Sequence, residues 1–125
     1  MENFKFIIFF LLSFHISQAQ RIPVEYFQKI SISSSALIEL KNLKNKKDKS
    51  NYDILRIGEL YAMNRQYHKS YESLESIFNQ MKSNYDFLVL FGSVSGMISS
   101  EVSKSKSIKY IKNMKSSFES AALLK

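Results

Sequence analysis

GELYAMNRQYHKSYESL, residues 58–74, sets a glycine inside one apolar helical run, then a polar turn, then a second helical run. Glycine in a helix interior costs about 1 kcal/mol relative to alanine, so a packing reason for Gly58 is expected. Before the turn, Ile54, Leu55, Ile57, Leu60 and Tyr61 recur at helical spacing, with Asp53 placed to cap the start. After it, Tyr67, Tyr71, Leu74, Ile77, Phe78 and Met81 follow one another mostly at three and four residues, which predicts one helix. The intervening MNRQ is short, and short turns make helices antiparallel neighbours. Residues 52–82 are therefore expected to form a hairpin. Where two helix axes approach most closely, small residues are needed and large ones fill the rims. Gly58 and Ser70 are the expected close-contact sites, and Tyr61, Tyr67 and Leu74 the large ones.

A second hairpin is expected over residues 85–125. KSNYD turns the chain, with Asn84 as a C-terminal or turn residue. FLVLFGSVSGMI, residues 87–98, is apolar on nearly every side, so its helix belongs at the centre of the packing. FLVLFG alone also reads as a strand, but no partner strand is visible. Val102 to Leu124 forms a long helix in which Ile108, Ile111, Met114, Phe118 and Ala121 make one stripe. Lys106, Lys109 and Lys112 fall on its other side.

Upstream, MENFKFIIFFLLSFHISQAQ has a short basic start, an apolar run from Phe6 to Leu12 and small residues at Ser17 and Ala19. That is the layout of a secretory signal peptide, shorter than the ~20 residues of a spanning helix. Cleavage near Ala19 leaves Gln20 first and makes the chain exported, periplasmic or secreted; retention as an anchor is the other reading. Residues 20–51 form an N-terminal helical segment and a basic linker. Pro23 stands near a helix start, and Tyr26, Phe27, Ile30, Leu37, Leu40 and Leu43 give a loose stripe, either one bent helix or two short ones. KNKKDKSN, residues 44–51, is a polar loop whose Lys44, Lys46, Lys47 and Lys49 are a candidate basic patch.

Composition narrows the class. With 125 residues, Gly 3 and Pro 1, the chain suits one small all-α domain rather than a β-sandwich rich in turns. Cys 0 removes disulfides, thiolate nucleophiles and sulfur metal sites. The net charge of +7 admits anionic partners, but the lysines are scattered and arginine is scarce, so nucleic acid is not expected.

With these residues in place, the chain resembles the tetratricopeptide repeat, whose unit of ~34 residues carries an aromatic residue, Leu-Gly, Tyr, then Tyr-x-x-Ala and a later Phe and Ala. Ile54 stands at the aromatic site, Ile57-Gly58 at Leu-Gly, Tyr61 at the tyrosine and Tyr67-x-x-Ser70 at Tyr-x-x-Ala, with Leu74 and Ile77 beyond. Arg65 replaces the turn glycine and Lys82 the closing proline. Leu88, Phe91 and Gly92 follow Ile54, Ile57 and Gly58 by 34 positions. Phe118 and Ala121 resemble the closing Phe and Ala but stand about ten positions late, so the second hairpin is elongated. In this it is similar to exported repeat proteins of Bacteroidetes. The resemblance covers residues 51–125 and implies a short α-solenoid that acts by binding protein. Stacked repeats need about three units, so residues 23–43 or a partner are expected to supply a neighbour.

Catalysis is not expected. His68 is the one histidine outside the leader, and no G-x-S-x-G surrounds a serine. GSVSG, residues 92–96, lacks the lysine of a phosphate loop. His68 with Glu72, and Glu72 with Glu75, read as surface groups rather than a metal or acid–base pair. No cofactor, metal or small-molecule substrate is expected. The leading expectation is an exported, non-enzymatic protein-interaction scaffold whose binding face includes Arg56, Glu59 and Met63. The alternative is a small basic bundle that binds anionic lipid or polyanion through residues 44–49 and the last helix. Self-association stays open.

Overall fold

The computed structural model describes residues 33–125, all of whose regular structure is helical. The expected signal peptide, its cleavage site, Pro23 and the apolar Tyr26, Phe27 and Ile30 lie outside the described residues. The helices are α1 (Ser34–Asn45), α2 (Asn51–Met63), α3 (Tyr67–Glu75), α4 (Phe78–Met81), α5 (Tyr85–Ser99) and α6 (Lys104–Leu123).

Side-chain caps set the starts of α1, α2 and α5. Ser33 Oγ accepts from the Ala36 N–H and opens α1. Ser50, not Asp53, is the N-cap of α2: its side chain accepts from the Asp53 N–H, and the Asp53 carboxylate accepts from the Ser50 N–H. This reciprocal box satisfies two orphan donors at once, which a cap at Asp53 alone does not. α1 also runs on through Lys44 and Asn45, so the expected loop shrinks to the residues between Asn45 and Asn51. Asn84 is an N-cap rather than a chain terminator, since its Oδ1 accepts from the Phe87 N–H at 2.8 Å.

The α2–α3 turn is a left-handed helix cap. Arg65 takes φ 60°, its N–H reaches the Ala62 carbonyl, and the Gln66 N–H reaches back to Tyr61. That pairing satisfies the free carbonyls at the end of α2.

The helix expected from Tyr67 to Met81 is broken into α3 and α4. Ser76 Oγ donates to the Ser73 carbonyl at 2.7 Å. That carbonyl is the ordinary acceptor for the Ile77 N–H, which bonds Leu74 instead at 3.1 Å. The serine side chain thus competes with the helix ladder and tightens it at one residue.

Both hairpins are antiparallel and share one kind of seam. A Cβ added at Gly58 falls 2.5 Å from Leu74 Cδ2, and Ser70 Oγ donates to the Gly58 carbonyl at 2.7 Å. In the second hairpin, a Cβ at Gly92 meets the Phe118 ring at 3.0 Å and one at Gly96 meets Met114 Sδ at 2.8 Å. As α5 advances from Gly92 to Gly96, its contact on α6 moves back from Phe118 to Met114, as antiparallel axes require. Tyr61 packs mainly in a cluster with Ala36, Leu40, Ile57 and Leu60, where α1 lies on α2, and Lys69 of α3 reaches its ring at 5.9 Å. Tyr67 instead enters the main core with Leu74, Phe87, Phe91 and Ala121.

α5 is the central element, with Phe87, Leu88, Phe91, Val94 and Ile98 all buried. Its aromatics continue a stack begun on α3. Tyr71 lies on Phe91 at 5.0 Å and Phe91 on Phe87 at 5.6 Å, while Phe78 from α4 packs against both. On α6, Met114, Phe118 and Ala121 are buried, but Ile108 is 59% exposed, against the expected stripe. Two steps of three residues turn a helix by about 600°, which leaves Ile108 about a third of a turn away from Met114. The small Ser107 occupies the buried position instead.

Candidate functional site

α2 and α5 begin 34 residues apart, at Asn51 and Tyr85. Arg56, Glu59 and Met63 on α2 correspond to Leu90, Ser93 and Met97 on α5. The two helices contact each other, and in the α5 row Ser93 is buried. Leu90 and Met97 are only partly buried, and Tyr52 at the start of α2 is exposed. Leu90 and Met97 were not among the expected binding residues, although the register of Arg56 and Met63 points to them.

At the N-terminal edge this face is already occupied. Arg56 Nε and Nη2 donate to the Glu39 carboxylate at 2.8 and 2.9 Å, and Nη1 donates to Glu59 at 2.7 Å. Planar two-point pairing of this kind fixes geometry as well as charge. It holds the Glu39 carboxyl below its usual range, chiefly through the Arg56 hydrogen bonds, and raises Arg56 in turn. Met63 packs against the same α1–α2 cluster. Arg56 and Met63 therefore serve first to seat α1, a role that needs Glu39 and that spacing within α2 does not reveal. Leu90 and Met97 lie outside this α1–α2 cluster and are partly buried against the main core.

The basic loop is similarly engaged. Lys46 Nζ pairs with Asp53 at 2.8 Å, and that hydrogen bond is the main reason the Asp53 carboxyl lies low. Lys49 Nζ donates to the Lys46 carbonyl at 2.9 Å, and the Lys44 ammonium sits 5.7 Å from the Tyr61 ring centroid. Lys47 is exposed. Three of the four lysines in the candidate patch are thus drawn into contacts that join α1, the loop and α2.

A third cluster lies where α3 meets α6. Asn113 Nδ2 donates to the buried Tyr71 hydroxyl at 2.6 Å, and the Tyr110 ring meets Tyr71 edge-on at 5.1 Å. Burial pushes the Tyr71 phenol up to about 12. Lys109 Nζ lies 5.4 Å from the Tyr110 centroid and 5.7 Å from that of Tyr71. His68 is exposed and touches Tyr110 edge-on at 6.4 Å. Tyr71 itself is enclosed by rings and an amide, which suits a structural joint. Among the described residues no group of His, Asp and Glu is arranged to hold a metal ion, and no helix is long and apolar enough to cross a membrane. Comparison of the chain with known protein families, curated proteins and solved structures finds no match.

Proposed function

We propose that the protein is an exported, non-enzymatic scaffold of tetratricopeptide-like hairpins that binds another protein along α2 and α5. The observation that carries this reading is the repeated seam. Gly58 meets Leu74 and Gly92 meets Phe118, so each glycine on a hairpin's first helix packs against its second helix, and the two glycines stand 34 residues apart. Such repetition lays equivalent helices side by side and makes an extended face, the working surface of helical repeats. α1 supports it from one end. It covers Ile57, Leu60 and Tyr61, which a terminal repeat must otherwise leave open, and so takes the part of a capping helix. Export follows from the residue 1–19 segment, and exported material is expected to begin at Gln20.

Photo-crosslinking tests the reading. A photoreactive residue placed at Leu90, and separately at Met97, is expected to give the same discrete adduct with a second protein in cells. The same residue at Asn79, exposed on α4, is expected to give none. Equal labelling from all three positions rejects the scaffold reading.

A further inference from the structure

We infer that the outer face of α6 docks on an anionic lipid surface. The face carries Lys104, Lys109, Lys112 and Lys115, with Ile108 between them. At 100° per residue these positions spread over less than half of the helix circumference, on the side away from Met114, with Phe118 bordering the Lys104 edge. Four features set it apart from a merely solvated helix.

First, the lysines are not neutralised. Glu119, the single acid in the helix, lies on this face four residues after Lys115, but the described ion pairs, Lys46–Asp53, Arg56–Glu39 and Arg56–Glu59, involve neither it nor any α6 lysine. Second, the charge runs against helix stability. Lys104 and Lys106 occupy the first turn, which holds no acid, and the Ser103 side chain makes no cap bond. The positive end of a helix dipole disfavours cations there and adds to the pull on an anion. Third, Ile108 is 59% exposed in the middle of this charge. A lipid interface accepts an apolar side chain while lysine stems snorkel to the headgroups. A nucleic-acid backbone offers Ile108 nothing, and α6 has no arginine for phosphate forks. Fourth, the face belongs to one helix and meets a flat surface readily. In the rival basic segment, Lys44 to Lys49, Lys46 is paired with Asp53, whereas Lys109 on α6 lies against the Tyr71 and Tyr110 rings and is in none of the described ion pairs.

The test is partition of the full chain onto vesicles of phosphatidylcholine with phosphatidylglycerol, compared with phosphatidylcholine alone. Because residues 1–19 contain their own apolar run, the readout is the preference for anionic over neutral vesicles. Each lysine near an anionic surface is worth about fivefold in partition. The combined variant Lys104→Gln, Lys109→Gln, Lys112→Gln and Lys115→Gln is expected to lower the preference at least about tenfold. Raised salt is expected to lower it for the wild type. Glutamine at Lys44, Lys46, Lys47 and Lys49 is expected to leave most of it intact. Circular dichroism of each variant checks that the helices persist, and Ile108→Ala gives a second, charge-neutral variant expected to weaken binding several-fold. An anionic preference unchanged by the α6 variant overturns the proposal. So does wild-type binding to heparin or an acidic protein with no preference for anionic vesicles.

Discussion

Ser70 Oγ donates to the Gly58 carbonyl oxygen at 2.7 Å, inside a contact where both residues are buried. The bond exists because Gly58 has no side chain and Leu74 lies over its Cα. Replacing Gly58 with alanine places a Cβ 2.5 Å from Leu74 Cδ2 and 2.7 Å from its Cγ. Leu74 is fully buried and cannot swing outward. The helix-propensity gain of about 1 kcal/mol is therefore offset by overpacking of about 1–3 kcal/mol. Gly58→Ala is expected to lower stability in chemical denaturation, and Gly58→Leu to lower it further. A Gly58→Ala protein more stable than wild type refutes the close-contact assignment.

The three glycines are expected to rank by what each new methyl group meets. At Gly92 the Phe118 ring atoms stand at 3.0–3.2 Å, so the ring must shift by a few tenths of an ångström. At Gly96 the nearest atom is Met114 Sδ at 2.8 Å, the flexible part of an adaptable side chain. Alanine is expected to cost most at Gly58, less at Gly92, and at Gly96 to be neutral or stabilising by up to about 1 kcal/mol. Melting temperatures of the three single variants check the order. A Gly96→Ala loss larger than that of Gly58→Ala sinks it.

Arg65 is the second site where backbone geometry sets an expectation. A non-glycine residue at φ 60° costs about 1–2 kcal/mol, and glycine relieves it at some entropic expense in the unfolded chain. Arg65→Gly is expected to raise stability by up to about 1 kcal/mol. Arg65→Val is expected to lower it, because a β-branched side chain tolerates positive φ poorly. Denaturant midpoints of the pair measure both, and a more stable valine variant contradicts the cap geometry.

These positions show how far the chain was readable before its coordinates. Gly58, Ser70 and the turn at Arg65 were legible because each is a short-range demand: a small residue at a crossing, or a conformation glycine adopts freely. The all-helical class was legible from periodicity and the shortage of glycine and proline. The α3–α4 break was not, since it turns on whether Ser76 donates to a carbonyl, which apolar spacing does not record. Ile108 was misplaced because steps of three residues drift around a helix. The Arg56–Glu39 pairing joins residues 17 apart across two elements, and the Tyr71–Asn113 bond spans 42. Such contacts depend on how the helices are stacked, so local pattern is silent about them. The same reason hid the loss of the basic loop to internal contacts.

Ser95 carries the next prediction. Its side chain is fully buried in α5, and among the described residues its Oγ has no hydrogen-bond partner. A buried hydroxyl left unpaired costs about 1–3 kcal/mol, whereas Ser93 and Ser99 bond back to their own helix. Ser95→Ala also improves helix propensity, so it is expected to stabilise the protein by about 1 kcal/mol. Ser70→Ala is expected to act in the opposite direction by a similar amount, because it removes a made bond. Thermal unfolding of the two variants separates them. A destabilised Ser95→Ala protein means the hydroxyl has a partner.

The Tyr71 phenol makes stability fall at high pH. Burial raises its folded-state pKa to about 12 from an ordinary value of 10.0, with Glu75 and Tyr110 acting in the same direction and the Asn113 bond against them. The folded protein therefore holds this proton more tightly than the unfolded chain does. Its contribution is complete below pH 10, declines as pH rises through the interval to about 12, and is lost above it. Tyr67 is raised in the same sense by burial and adds to the slope. Glu39 acts at the other end. Its carboxyl is lowered chiefly by the Arg56 hydrogen bonds, so its contribution is present above the ordinary 4.5 and disappears as pH falls through the lower folded value. Denaturation measured across pH is expected to show Tyr71→Phe flattening the alkaline limb by about 1–2 kcal/mol. Glu39→Gln should flatten only the acid limb, and exposed Tyr52→Phe serves as the reference. An alkaline limb that is the same in the Tyr71→Phe and wild-type proteins means that solvent reaches the phenol, and that the joint between α3 and α6 is open.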